Sequence, residues 1–228
     1  MSIRERIAFF GQMRSNFEQT GALQPSSRRL AEAMAAPLRR FHANDATSAT
    51  RILEIGPGTG AVTRAIAACM GPHDALDCYE INEEFVRYLR DAIRNDAALA
   101  PRADQIRIHH AAAQELTPAD RFDFAICSAP LNNFDAVAID AVLEPMLGAV
   151  TARGTATIFE YVFFPVLRRA ISPGALGRRL RAAQSAKSKW LARCGRDSSL
   201  VLRNVPPARV YELGPLTGRP ARLRARTR

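Results

Sequence analysis

Short apolar runs and amphipathic stretches alternate along the middle of the chain, and the alternation has the period of strand, helix, strand, helix. Residues 51–55, 75–80, 106–110, 122–128 and 155–162 read as strands, because each is a brief apolar run bounded by turn residues. Between them, residues 61–70, 83–95 and 136–147 set apolar side chains at helical spacing. Strands alternating with helices predict a parallel sheet with right-handed crossovers. Residues 199–205 and 208–213, parted by Pro206-Pro207, predict a terminal hairpin and bring the strands to seven. Ahead of the sheet, Ile3, Ile7, Phe10, Met13 and Phe17 make one stripe of a helix over 3–17. A turn at 20–27 leads into a second helix, 28–41, for which Ser26 or Ser27 is a natural N-cap and whose free N–H groups can meet an anion. The tail 218–228 reads as loose and basic, so residues 1–218 form a single α/β domain with 1–41 as a helical segment within it.

The first strand runs into Ile-Leu-Glu-Ile-Gly-Pro-Gly-Thr-Gly, residues 52–60. Gly56, Gly58 and Gly60 stand at every second position of a turn between a buried strand and a helix N-terminus. Glycine there tolerates positive φ and lets a ligand approach bare backbone. Glu54, two places earlier, supplies a fixed negative charge that suits a ligand carrying an ammonium and would repel a pyrophosphate. The GxGxG spacing lacks the GxGxxG step of dinucleotide-binding folds. Glu80 ends the second strand, where an acid can accept hydrogen bonds from ribose hydroxyls, and Ile81 follows it.

The 228 residues carry a net charge of +10, and the excess is uneven. After Tyr161 the only acids are Asp197 and Glu212, against a concentration of Arg168, Arg169, Arg178, Arg179, Arg181, Lys187, Lys189, Arg193 and Arg196. Such a surface points to a polyanionic partner, nucleic acid or an anionic membrane. Residues 174–191 set Leu176, Leu180, Ala183 and Trp190 roughly on one face with bases around them, a pattern that suits a membrane interface and equally an ordinary packed helix. No apolar run approaches the ~20 residues of a membrane span. The charged N-terminus argues against a secretory signal. Cys69, Cys78, Cys127 and Cys194 and the histidines His42, His73, His109 and His110 lack metal-ligand spacing, which predicts free thiols, a reducing compartment and no metal.

The glycine turn with Glu54, followed by Glu80, resembles motif I and the next acidic motif of class I S-adenosylmethionine methyltransferases. The segment Thr20-Gly21-Ala22-Leu23-Gln24-Pro25-Ser26-Ser27-Arg28, with Leu30-Ala31 behind it, resembles the GAxxPSSrxLA opening of bacterial phospholipid N-methyltransferases, which methylate phosphatidylethanolamine, with relatives acting on ornithine lipids. After strand four, Pro130, Leu131 and Phe134 match that family's S-G-L-P-L-x-x-F motif, while Cys127, Ser128 and Ala129 replace its first part. Tyr161 matches a tyrosine after strand five, and Pro165 stands where the family has a proline. The resemblance implies a Rossmann-like class I methyltransferase fold: a seven-stranded, mostly parallel sheet with a C-terminal hairpin.

It also implies a cofactor and an acceptor. S-adenosylmethionine would be held by Glu54, Gly56, Gly58 and Gly60 at its methionine part, by Glu80 and Ile81 at the ribose, by Ala113 and Gln114 beside the adenine, and by Ser128. Tyr161 and the loop Ser128–Pro130–Leu131 would hold the acceptor amine, and no catalytic triad is expected, because a positioned amine needs only to lose a proton. Phe10, Ser26, Ser27, Arg28, Arg178, Arg179 and Trp190 would face substrate and membrane. The implied enzyme is peripheral to the cytoplasmic membrane, with no obligate protein partner. The competing reading is an RNA adenine N6-dimethyltransferase, against which Leu131 counts, since that family prefers an Asn-Leu-Pro-Tyr loop whose aromatic stacks on a flipped base. A third is a basic binding module with a relic site, which the complete Glu54, Gly56, Gly58, Gly60 and Glu80 set argues against.

Overall fold

The computed structural model describes residues 28–117, 119–162, 174–216 and 224–226. The predicted helix 3–17 with Phe10, the turn with Ser26 and Ser27, and Pro165 lie outside the described residues.

Among the described residues two helices precede the sheet, α1 (Arg28–Met34) and α2 (Ala36–Asn44). They occupy the stretch for which the sequence predicts one helix over 28–41. Pro37 explains the break: it has no N–H for the carbonyl of Ala33, and it sits in the first turn of α2, where that N–H is not needed. Then follow β1 (Arg51–Ile55), α3 (Ala61–Ala67), β2 (Ala75–Glu80), α4 (Glu83–Asn95), β3 (Ile106–His110), β4 (Phe122–Cys127), α5 (Ala136–Gly148), β5 (Val150–Tyr161), α6 (Ala175–Cys194), β6 (Gly195–Val201), β7 (Ala208–Leu213) and β8 (Arg224–Arg226). Asn82 caps α4 by accepting from the N–H groups of Glu84 and Phe85, and Asp135 caps α5 by accepting from Ala138.

The strands form one sheet in the order β3-β2-β1-β4-β5-β7-β6-β8. The pairs from β3 to β5 are parallel, and β7 runs antiparallel to both β5 and β6. Two expectations need correction. The sheet has eight strands among the described residues, because Arg224–Arg226 pairs in parallel with β6 where a loose tail was expected. The first hairpin strand starts at Gly195 rather than at residue 199, directly off the end of α6. Its opening residues, Arg196, Asp197, Ser198 and Ser199, are polar, so no apolar run marks it.

Each face of the sheet carries a core. Leu53, Ile55, Ala125, Cys127, Ala156 and Ile158 meet α5 and α6 on one side. Ile52, Cys78, Phe124, Ile126 and Phe159 meet α1, α2 and α3 on the other. Trp190 lies in the first core at 2% exposure, and its Nε1–H donates to Asp140 at 2.6 Å. The expectation that Trp190 faces a membrane is therefore corrected: α6 turns Ala183, Ala186 and Trp190 inward onto α5, and leaves Arg178, Arg179 and Arg181 exposed. Trp190→Phe is expected to lower unfolding free energy by about 1–2 kcal/mol through the lost hydrogen bond. The same variant should pellet with anionic vesicles as the parent does, and reduced pelleting would restore the interfacial role.

Candidate active site

The carboxyl ends of β1, β2 and β4 border a cleft, the place where ligands gather in open parallel sheets. Ile55, Gly56, Tyr79, Glu80, Ile81, Phe85, Ala111, Ala113, Ala129, Pro130, Asn133, Phe134 and Val142 line it, with about 620 Å³ of empty volume including the open mouth.

Gly56, Gly58 and Gly60 all adopt positive φ, at 66°, 57° and 80°. The turn is held by the protein itself. Gly56 N–H donates to the Tyr79 carbonyl at 2.9 Å, Gly58 N–H to Glu80 Oε2 at 3.0 Å, and Gly60 N–H to the Pro57 carbonyl at 3.0 Å. The turn also packs closely on the loop after β4: a Cβ on Gly56 would come within 2.9 Å of the Ala129 Cβ.

Glu80 is 4% exposed and joins the turn to the rest of the cleft. One oxygen accepts from Gly58, and the other accepts from the N–H groups of Ile81 at 2.9 Å and Asn82 at 3.0 Å. A carboxylate has about four acceptor sites, so Glu80 keeps capacity for a ligand hydroxyl.

Glu54 is fully buried and is not among the residues lining the cleft. Its carboxylate accepts from the hydroxyls of Thr63 at 2.7 Å and Ser128 at 2.6 Å, tying α3 and the loop after β4 to β1. Burial, and then the neighbouring Glu54, pushes the Cys78 thiol well above its ordinary pKa.

The structure sorts the other expected residues. Gly56, Glu80, Ile81, Ala113 and Pro130 line the cleft. Gln114 follows Ala113 but is exposed and outside the lining. Ser128 is 2% exposed with its hydroxyl turned to Glu54, and Leu131 is 1% exposed within the α5 core, so neither side chain is presented to an acceptor. Both are fixed within the loop after β4, Ser128 by Glu54 and Leu131 by the core. Tyr161 is partly exposed and packs edge-on against Phe159 at 5.4 Å between ring centroids. Arg28 is exposed and pairs with Glu32 at 2.8 Å.

Several lining residues were not legible as site residues. Tyr79, Phe85, Ala111, Asn133 and Val142 come from five separate segments; all but Asn133 are of types common in cores, and Asn133 reads as an ordinary loop polar residue. A second group also escaped notice. Lys187, 4% exposed, donates to Glu160 Oε2 at 2.8 Å, and Glu160 Oε1 accepts from the Tyr211 hydroxyl at 2.5 Å. Burial, reinforced by Glu160, raises the pKa of the Tyr211 phenol. The available signal was a lysine on the same helical stripe as Ala183 and Trp190.

Among the described residues no group of three or more His, Cys, Asp and Glu side chains could hold a metal ion, and no helix is long and apolar enough to cross a membrane.

Residues 52–154, from β1 into β5, match the family model described as a methyltransferase domain. The O-methyltransferase TomG from Streptomyces achromogenes, solved in complex with S-adenosylmethionine, superposes with a TM-score of 0.60 at 14% identity, over 90% of this chain and 89% of that one. The glycopeptide N-methyltransferase MtfA, solved with sinefungin, gives 0.58 at 10% identity, over 80% and 86%. TrmN from Thermus thermophilus gives 0.54 at 20% identity over 81% of this chain, which spans 49% of TrmN. No curated protein matches the chain. The fold is that of the class I methyltransferases. O- and N-methyltransferases alike share it, so it does not choose the acceptor atom.

Proposed function

We propose that this chain transfers a methyl group from S-adenosylmethionine to the amine of a membrane aminolipid, of phosphatidylethanolamine or ornithine-lipid type, at the cytoplasmic membrane surface. The observation that carries the methyl-transfer half is the cleft at the left-handed glycine turn, with Glu80 bonded to Gly58 at its edge.

The residues present suit the cofactor. Gly56 lines the cleft without a side chain. Glu80 retains acceptor capacity suited to ribose hydroxyls, and Ile81, Ala113, Phe134 and Val142 offer apolar walls for an adenine. When bound, S-adenosylmethionine supplies a methyl group on a sulfonium, whose departure requires no proton donor. The chain's own work is then to hold cofactor and amine in line and keep water out, and positioning of this kind supplies much of a rate enhancement. Pro130, Asn133 and Tyr161 at the ends of β4 and β5 are the residues assigned to the acceptor side. Glu54 is assigned the role of bracing the turn through Thr63 and Ser128.

The acceptor assignment is supported by the sequence of residues 20–31, by Pro130, Leu131 and Phe134, and by the charge distribution. The helix α6 contains no acidic residue, and each base near an anionic bilayer contributes about 1 kcal/mol of attraction. The test is incubation of the protein and methyl-labelled S-adenosylmethionine with vesicles of phosphatidylethanolamine or ornithine lipid mixed with an anionic lipid, and separately with RNA. Label in an aminolipid headgroup is the expected result. Label in RNA alone would replace this reading with the adenine dimethyltransferase.

A further inference from the structure

Four segments meet around one buried ammonium. Lys187 projects from the inner side of α6, and its side chain is 5% exposed. It donates to Glu160 on β5 at 2.8 Å and to Asn132 Oδ1, in the loop after β4, at 3.2 Å. Tyr211 on β7 donates to the other oxygen of Glu160, and the Asn132 amide donates to the Tyr161 carbonyl at 3.1 Å.

A buried lysine–carboxylate pair is a poor device for stability alone, because apolar residues of similar volume often serve as well or better. Its use is to fix geometry. What this pair fixes is Asn132, which stands between Pro130 and Asn133, both of which line the cleft. The loop itself is a single tight turn: Asn133 N–H bonds to the Pro130 carbonyl and Phe134 N–H to that of Leu131. Leu131 anchors the turn in the core by packing, and Asn132 is its polar tether to β5 and α6.

We propose that Lys187 is a positioning residue for methyl transfer: braced by Glu160 and Tyr211, it grips Asn132 and so sets the loop 130–134 against the cleft, where the acceptor must approach. The proposal rests on the methyl-transfer reading above. It gives α6 a second task, since the helix that carries the exposed arginines also steadies the acceptor side of the site.

The test uses the full chain and Lys187→Met, which keeps the length and apolar stem of the side chain. Amide hydrogen exchange at Asn133 and Phe134 should quicken about tenfold in the variant while the amides of α3 keep their protection. With whichever acceptor the parent protein methylates, kcat should fall about tenfold or more, with KM for S-adenosylmethionine unchanged. Asn132→Ala should lose a similar factor, and the double variant no more than the larger single loss, because both changes release one tether. Unchanged exchange at the two amides, or losses that multiply in the double variant, would overturn the proposal. If Lys187→Met does not fold, Asn132→Ala carries the same exchange and kcat measurements. If the parent methylates neither lipid nor RNA, the acceptor reading fails by itself, and the exchange experiment still decides the tether.

Discussion

Glu80→Ala is expected to weaken S-adenosylmethionine binding by about 100-fold or more, since losing one hydrogen bond to a charged group costs ~1.5–3 kcal/mol. Two losses add. The first is the acceptor for the ribose, for which the carboxylate keeps capacity after serving Gly58, Ile81 and Asn82. The second is the tie between Oε2 and Gly58 N–H, without which the left-handed turn has one fewer constraint and must be ordered by the cofactor itself. Glu80→Gln separates these effects poorly, since its NH₂ group must face either Gly58 or the Ile81–Asn82 pair and clash with their donors. It should therefore bind only slightly better than the alanine variant. Titration calorimetry on protein whose fold is confirmed by circular dichroism is the measurement. Affinity within twofold of the parent would remove Glu80 from the cofactor site.

The central strands were legible because burial on both faces leaves β1, β2 and β4 as mostly apolar runs between turn residues, broken inside only by Glu54, Asp77 and Asp123. Where neighbours rather than hydrophobicity define an element, the pattern failed. Gly195–Val201 is a strand because β7 and β8 flank it, although its first half is polar. The start of β5 is irregular, with Phe122 opposite Val150 but Phe124 opposite Thr155, so its first residues gave no alternation to read. The site shows the same division. Glycines at alternate positions and an acid ending the next strand announce themselves locally. Val142 and Phe85 do not, since an apolar helix residue at a cleft looks like one in a core. Glu54 illustrates a subtler limit: its position was readable, but only the fold shows that its carboxylate is occupied by Thr63 and Ser128. The basic stretch after Tyr161 was read as one surface, whereas α6 turns Lys187 inward and Arg178 outward.

Gly56→Ala tests the turn where backbone and packing demands coincide, and it is expected to lower stability by about 2–4 kcal/mol. One part is conformational: at φ 66° an alanine carries the left-handed penalty of roughly 1–2 kcal/mol. The other part is steric, because the new Cβ would lie 2.9 Å from the Ala129 Cβ and 3.4 Å from the Ala129 nitrogen. Ala129 belongs to the loop that carries Pro130, so the displacement would reach the acceptor side of the cleft as well. The double variant Gly56→Ala with Ala129→Gly removes the steric part and keeps the conformational one. It should recover about 1 kcal/mol in urea unfolding, less what the new glycine gives up in backbone entropy, roughly 0.5–1 kcal/mol. Cofactor affinity should recover further than stability does, because the loop returns to its place while the strain in the turn persists. A single variant as stable as the parent would mean that residue 56 does not hold the left-handed conformation. Losses of Gly56→Ala and Ala129→Gly that simply add in the double variant would mean that Ala129 is not what the added methyl group meets.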